Sequence, residues 1–140
     1  MKRWHEIGRI VFSLVFFVGA IVNTSFVISN PGIYTTFADE TFLPIYLHLW
    51  KRIVLPNVHL MVGLVICFEI ILSILLLMRG LIVRIALVLA AAFMMFLFPF
   101  WWAGAAVLNL VFSALLLWLA SSSYPKSALE LCVGIRRSSS

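Results

Sequence analysis

From Val58 to Met78 the chain reads VHLMVGLVICFEIILSILLLM, an apolar stretch of bilayer-spanning length with one acid, Glu69, at its centre. On the insertion scale a central acid costs about 2.5 to 3.5 kcal/mol, and each Leu, Ile, Val or Phe returns roughly 0.3 to 0.6. Fourteen such residues outweigh the single carboxyl. The segment is therefore expected to insert, with Glu69 turned toward protein or a wet cavity and away from lipid. That expectation requires a polar partner elsewhere in the chain.

The composition agrees with insertion. Of 140 residues, 64% are hydrophobic and 11% charged, and mean hydropathy is +1.16, outside the range of soluble globular chains. A net charge of +5 would suggest nucleic acid in a soluble protein. Here the basic residues flank apolar runs, so they read as topology signals and nucleic acid is not expected. Cys67 and Cys132 are not spaced as C-x-x-C, and no His cluster supports a metal site. The lack of a membrane-edge cysteine pair also argues against a disulfide-forming enzyme.

Three further spans are expected, at 10–28, 81–98 and 103–120, beside 58–78. The first apolar run passes Gly19 and Ala20 without stopping, too long for the core of a cleaved signal peptide. On it Phe12, Phe16, Gly19, Asn23 and Phe26 follow the spacing of one helical face. A small residue beside a polar one suits close approach to a neighbouring helix. Asn30-Pro31-Gly32 ends this helix. In the long connection that follows, Thr36 and Asp39 have a capping-box-like spacing, and Pro44–Leu55 places His48, Lys51 and Arg52 on one face. Twelve residues cannot span a bilayer, so 44–55 is expected as an interfacial helix with Tyr46 and Trp50 at headgroup depth. His48, Trp50, Lys51 and Arg52 are its candidate partner contacts.

Pro56-Asn57 opens the second span, and the short Met78-Arg79-Gly80 turn makes the second and third helices antiparallel neighbours. Gly80 suits a left-handed cap. Arg84 is expected to snorkel toward the headgroups. Pro99-Phe100-Trp101-Trp102 makes the next turn, and Ala105, Asn109 and Ser113 recur every four residues on the last span. Residues 121–140 form a polar tail. With both termini cytoplasmic, Lys2, Arg3, Arg9, Arg79, Arg84, Lys126, Arg136 and Arg137 lie inside, against Lys51 and Arg52 outside, a clear positive-inside bias.

This orientation allows depths to be compared at 1.5 Å per residue: Asn23 lies about 6 Å outward of the span centre, Asn109 about 4 Å outward and Glu69 about 1.5 Å inward. Glu69, Asn23 and Asn109, with Ser73 and Ser113 one turn below, form one expected polar layer. His59 sits near the rim. Such a layer either fixes helix register, or lines a cavity for a lipophilic or cationic ligand with Glu69 as hydrogen-bond partner or proton carrier.

The run NPGIYTTFADETFLPIYLHLWKRIVLPN, the Glu-bearing FEIILSILLLMRG, the VRIAL opening of the third helix and a proline at that helix's end resemble the DoxX-like group of small four-helix bacterial and archaeal membrane proteins. The resemblance extends from about Gly8 to Ala120. It implies an all-α four-helix transmembrane bundle, a single membrane domain over 1–140, with an extracytoplasmic interfacial helix between helices 1 and 2. It also implies the inner (plasma) membrane as location and a role in membrane redox work. Members have been linked to quinone-coupled thiosulfate oxidation, oxidative-stress complexes and maturation of secreted redox enzymes. The expectation for this chain is a non-catalytic subunit or scaffold of a redox system, with no cofactor fixed by the residues and a quinone as the candidate. Besides the lipid bilayer, a protein partner in a membrane complex or a homo-oligomer is expected. One alternative is a proton-coupled carrier of a small lipophilic cation using Glu69. Another is an accessory subunit that packs on a larger complex through the interfacial helix.

Overall fold

A computed structural model describes residues 2–100 and 104–132. Trp101, Trp102 and the end of the tail, with Arg136 and Arg137, lie outside the described residues, as does the side chain of Lys2. All regular structure among the described residues is helical: α1 (Lys2–Ser29), α2 (Ile33–Asp39), α3 (Pro44–Leu49), α4 (Val58–Leu76), α5 (Leu81–Leu97) and α6 (Ala105–Ala120). One isolated antiparallel bridge joins Thr41 to Phe100.

Helix α1 starts well before the apolar run whose first residue is Ile10. Its first turns are held by packing as well as by propensity: the His5 ring lies 4.2 Å from that of Trp118, and Gly8 sits against Leu119. A Cβ at Gly8 would fall 2.7 Å from a Leu119 methyl, so glycine sets how closely α1 and α6 meet. Within the same turns Glu6 accepts from Arg9 at 2.6 Å. The helix ends at Ser29, immediately before Asn30-Pro31-Gly32. Helix α2 then forms, but Gly32 and not Thr36 stands at its start, and no side chain caps it.

The segment expected as a separate interfacial helix is instead the first part of one helical path from Pro44 to Leu76. Between α3 and α4 lie a π-helical turn, Trp50–Val54, and a 3-10 turn, Leu55–Asn57. Pro56 cannot donate a backbone hydrogen bond, and changing the winding on either side of it lets the chain continue where a regular helix would break. Asn57 departs from helical geometry (φ −125°, ψ 33°), and its side chain donates to the Ile53 carbonyl at 3.1 Å.

Contacts at matched depths define the packing. Ser13 meets Ser73, Gly19 and Asn23 meet Glu69, and Val27 joins the same cluster as Val62, so α1 and α4 run antiparallel. In the same way Arg84 reaches Ala120, Ser113 reaches Ala91 and Asn109 reaches Leu97, which makes α5 and α6 an antiparallel pair. Ala86, Ala90 and Ala91 are buried on α5, and their small side chains let the helices approach. Near the termini one core gathers Phe12, Phe16, Leu72, Leu87, Leu116 and Leu119. At the opposite, loop end a smaller core gathers Val27, Tyr34 and Val62 under Phe37, Trp50 and Leu55.

The turn between α4 and α5 depends on Gly80, whose backbone (φ 70°, ψ −142°) has positive φ but lies outside the left-handed helical region expected for it. Its N–H donates to the Tyr124 carbonyl at 2.6 Å, and the Ala128 N–H donates to the Leu77 carbonyl at 3.0 Å. The described part of the tail is thus folded back onto the α4–α5 turn, and residues 128–132 are helical. Ser127 and Glu130 cap that segment reciprocally.

Candidate functional site

Glu69 is buried between the two cores, and only 6% of its surface is exposed. Two features of α1 make room for it. Gly19 has no side chain where a Cβ would stand 2.8 Å from Oε1 of Glu69. One turn further along, Asn23 donates from Nδ2 to Oε2 at 3.0 Å. The pairing of a small residue with a polar one on one face of α1 therefore does what their spacing suggested: it admits and satisfies a carboxyl group.

The amide is itself oriented by a third residue. The Tyr34 hydroxyl donates to Asn23 Oδ1 at 3.1 Å. Tyr34 reaches that position because the Asn30-Pro31-Gly32 reversal lays α2 back over the end of α1. Burial, and secondarily the Glu69 charge, push the Tyr34 phenol up to about 12, so it remains a donor across the physiological range. Trp50 completes the loop end of the site, its indole N–H donating to the Tyr34 carbonyl at 2.8 Å and its ring lying 4.7 Å from that of Phe100. Tyr46 also packs on Phe96 and Phe100.

Asn23, Tyr34 and Glu69 line a cavity of about 280 Å³ whose walls include Phe37, Trp50, Val65, Phe93 and Phe96. Phe68 and Phe93, 5.2 Å apart, stand beside Glu69 on α4 and in the cavity wall. The carboxyl has one oxygen committed to the amide, and the amide keeps a second N–H. The polar groups can thus offer a hydrogen bond to an acceptor, hold a proton on Oε1, or present negative charge to a cation.

The other residues expected in the polar layer are placed elsewhere. Asn109 donates to the Leu97 carbonyl at 3.2 Å and lines a second cavity of about 190 Å³, separated from the first by the shared walls Phe37, Trp50 and Leu97. Ser113 bonds the Ala91 carbonyl and Ser73 pairs with Ser13, each fastening two helices. On α3 and the π turn, His48, Lys51 and Arg52 are exposed, and Lys51 pairs with Asp39 at 2.9 Å. Trp50, expected beside them as a partner contact, belongs to the interior wall and not to this exposed face.

Tyr34 was not legible as a site residue, because a seven-residue helix has too few turns to declare which side faces inward. The tight reversal before it was the available signal. Arg9, a topology signal in the sequence, is fully buried in the fold. It donates to the carbonyls of Met78 at 2.6 Å and Lys126 at 2.7 Å, and lies 5.1 Å from the centre of the Tyr124 ring. Arg84, expected to snorkel, donates to the Ala120 carbonyl at 3.1 Å. Both arginines thus serve carbonyls at helix C-termini, Arg9 just after α4 and Arg84 at the end of α6, where a cation is favoured, and Arg9 ties the tail to α4 as well.

Cys67 and Cys132 are both free. Among the described residues no group of three or more His, Cys, Asp or Glu side chains gathers as a metal site would require. No family model, curated protein or solved structure significantly matches this chain.

Proposed function

We propose that this chain is a DoxX-like four-helix protein of the inner (plasma) membrane, a non-catalytic subunit of a redox system that holds a quinone ring beside Glu69. In this reading α1, α4, α5 and α6 span the bilayer, both termini are cytoplasmic, and α2 and α3 face the extracytoplasmic side. Two helices, Arg3–Ser29 and Pro44–Leu76, are long and apolar enough to cross. Large apolar side chains also cover the outward faces of all four helices, among them Phe17, Ile21, Leu64, Ile71, Val88, Leu108 and Leu115, an arrangement suited to lipid. Helices α5 and α6 are shorter, 17 and 16 residues. At 1.5 Å per residue they reach about 25 Å, which a locally thinned bilayer accommodates.

The observation that carries the ligand is the Glu69 cavity. At about 280 Å³ it lies near the lower limit of small-molecule sites, the size of one ring and not of a whole lipid. A quinone oxygen accepts hydrogen bonds, and the second N–H of Asn23 or a protonated Glu69 can supply them. Aromatic walls suit a flat ring. The quinone would supply the electron-carrying chemistry; the protein side chains would bind and orient it and hold a proton at Glu69.

Asn23→Ala is expected to weaken quinone retention about tenfold, the worth of one hydrogen bond to a buried ligand. Val65→Trp, which fills the cavity, should abolish it. Quinone carried through gentle purification can be quantified by extraction and chromatography. Equal content in the parent and both variants would remove the reading. A second reading, carriage of a lipophilic cation, is favoured by the juxtaposition of the Glu69 carboxyl with the Trp50, Phe93 and Phe96 rings. It predicts that Glu69→Gln abolishes cation binding, whereas the amide can still hydrogen-bond a quinone. The exposed His48, Lys51 and Arg52 are the proposed contacts for a protein partner.

A further inference from the structure

At the end of the molecule away from Glu69, the first turns of α1 and the returning tail enclose a cleft of about 450 Å³. Arg3, Ser123 and Lys126 give it polar groups, and Ile7, Ile10 and Leu131 give it an apolar wall. Glu6 also borders the cleft, but its carboxylate is held by Arg9 at 2.6 Å. Glu130, which feels Lys126 through space, is paired with Arg79 at 3.5 Å. The acids nearby are therefore engaged, while neither Arg3 nor the Lys126 ammonium has an ion-pair partner among the described residues. The geometry is fixed from beneath: buried Arg9 binds the Lys126 carbonyl, so α1 and the tail keep their spacing.

A second feature identifies the kind of anion. Ile7, Val11 and Leu14 are exposed on α1 at the spacing of one helical face, and they form an apolar strip leading from the cleft toward the middle of the helix. A free phosphate has no use for such a strip, whereas a phospholipid would lay an acyl chain along it. We propose that this cleft binds an anionic phospholipid, its phosphate held by Arg3 and Lys126 and one chain lying along Ile7, Val11 and Leu14. The proposal rests on the membrane reading above and is independent of the quinone. The basic residues of this end then do more than orient the chain; two of them select the lipid that surrounds it.

The test is native mass spectrometry of the full chain released from vesicles of phosphatidylcholine containing a minor share of phosphatidylglycerol. The parent protein should retain phosphatidylglycerol well above its share of the vesicle. Arg3→Gln with Lys126→Gln should lower that retention by roughly thirty-fold, the combined worth of two basic groups at a membrane surface. Lys51→Gln with Arg52→Gln removes the same charge at the other end and should leave retention unchanged. Equal loss in the two double variants would overturn the proposal, because a diffuse charge effect would then suffice. Displacement of the lipid by millimolar inorganic phosphate would overturn it as well, by making the cleft a site for soluble anions. Release of the chain from vesicles by alkaline carbonate would remove the membrane reading together with this inference. Stable insertion without lipid enrichment would remove this inference alone.

Discussion

Two residues that carry no charge govern what Glu69 can do. Gly19 leaves space for the carboxyl, and any larger residue there must displace Oε1, 2.8 Å from the position its Cβ would take. Oε1 ends a flexible side chain and can move, but the carboxyl that must shift is the one whose Oε2 accepts from Asn23 at 3.0 Å. Gly19→Val is thus expected to destabilise the protein by about 1 to 3 kcal/mol, the usual cost of overpacking. Gly63, on α4 with open space around its would-be Cβ, provides the contrast. Gly63→Ala should be neutral or stabilising by about 0.5 to 1 kcal/mol, since alanine favours a helix interior. Thermal unfolding in detergent measures both, and equal effects would mean that Gly19 is not the spacer. Tyr34 sets the second condition. Its phenol is pushed up to about 12 by burial and by the Glu69 charge, above the ordinary value of 10.0. The folded state therefore holds the phenolic proton more tightly than the unfolded chain does. The resulting stability is complete below pH 10 and is lost as the pH rises through 12. Tyr124 behaves alike, raised to about 12 first by burial and then by the Glu6 charge, with Arg9 opposing. Tyr34→Phe should make the loss of stability between pH 10 and 12 less steep, as followed by unfolding at stepped alkaline pH; an unchanged profile would show that this phenol is not the group titrating.

Among the elements, the helices were legible and their ends were not. Runs of apolar residues located α4, α5 and α6 to within about two residues of their observed bounds, because each run is stopped by a turn residue. The start of α1 is not legible in the sequence because His5, Gly8 and Arg9 are placed by α6 and the tail, partners that lie more than a hundred residues away along the chain. The continuity of α3 into α4 was hidden for a different reason. Proline marks a helix break in a sequence, and the π and 3-10 turns around Pro56 are a local solution that periodicity does not announce. Part of the candidate site was legible on the same terms: Gly19 and Asn23 share a face repeat on α1 and Glu69 is the lone acid of its span, whereas Asn109, on a face repeat of its own, was joined to them by depth, and depth does not fix the direction in which a side chain turns. The tail shows the largest gap between the two descriptions, and Arg9 accounts for it. Arg9→Met would leave the Met78 and Lys126 carbonyls without their donor and Glu6 without its cation, at an expected cost of about 3 to 5 kcal/mol. It should also free the tail, so that trypsin cuts after Lys126 faster than in the parent protein. Unchanged protection of that bond would show that the Gly80 and Ala128 backbone bonds hold the tail unaided.

At the scale of the whole molecule, the helices divide the surface into three zones that a sealed membrane would separate. The exposed His48, Lys51 and Arg52 mark the loop end, the bare apolar faces of α1, α4, α5 and α6 mark the middle, and Arg3, Arg79 and Lys126 mark the end where the chain's described termini meet. The two free cysteines happen to sample two of these zones. Cys67 is exposed on α4 two residues before Glu69, so in the proposed arrangement it faces lipid near mid-depth. Cys132 is exposed in the folded-back tail, on the side proposed to be cytoplasmic. Thiol alkylation needs the thiolate and hence water, which hydrocarbon denies to Cys67. A maleimide too polar to cross membranes should label neither cysteine in intact cells and only Cys132 once the cells are opened, with Cys67 reacting after the membrane is dissolved in denaturing detergent. Lys51→Cys should add a thiol that is labelled in intact cells. Labelling of Cys132 from outside would invert the proposed orientation, and labelling of Cys67 in opened cells without detergent would place its face of α4 in water, leaving the apolar surface to be covered by protein instead of lipid.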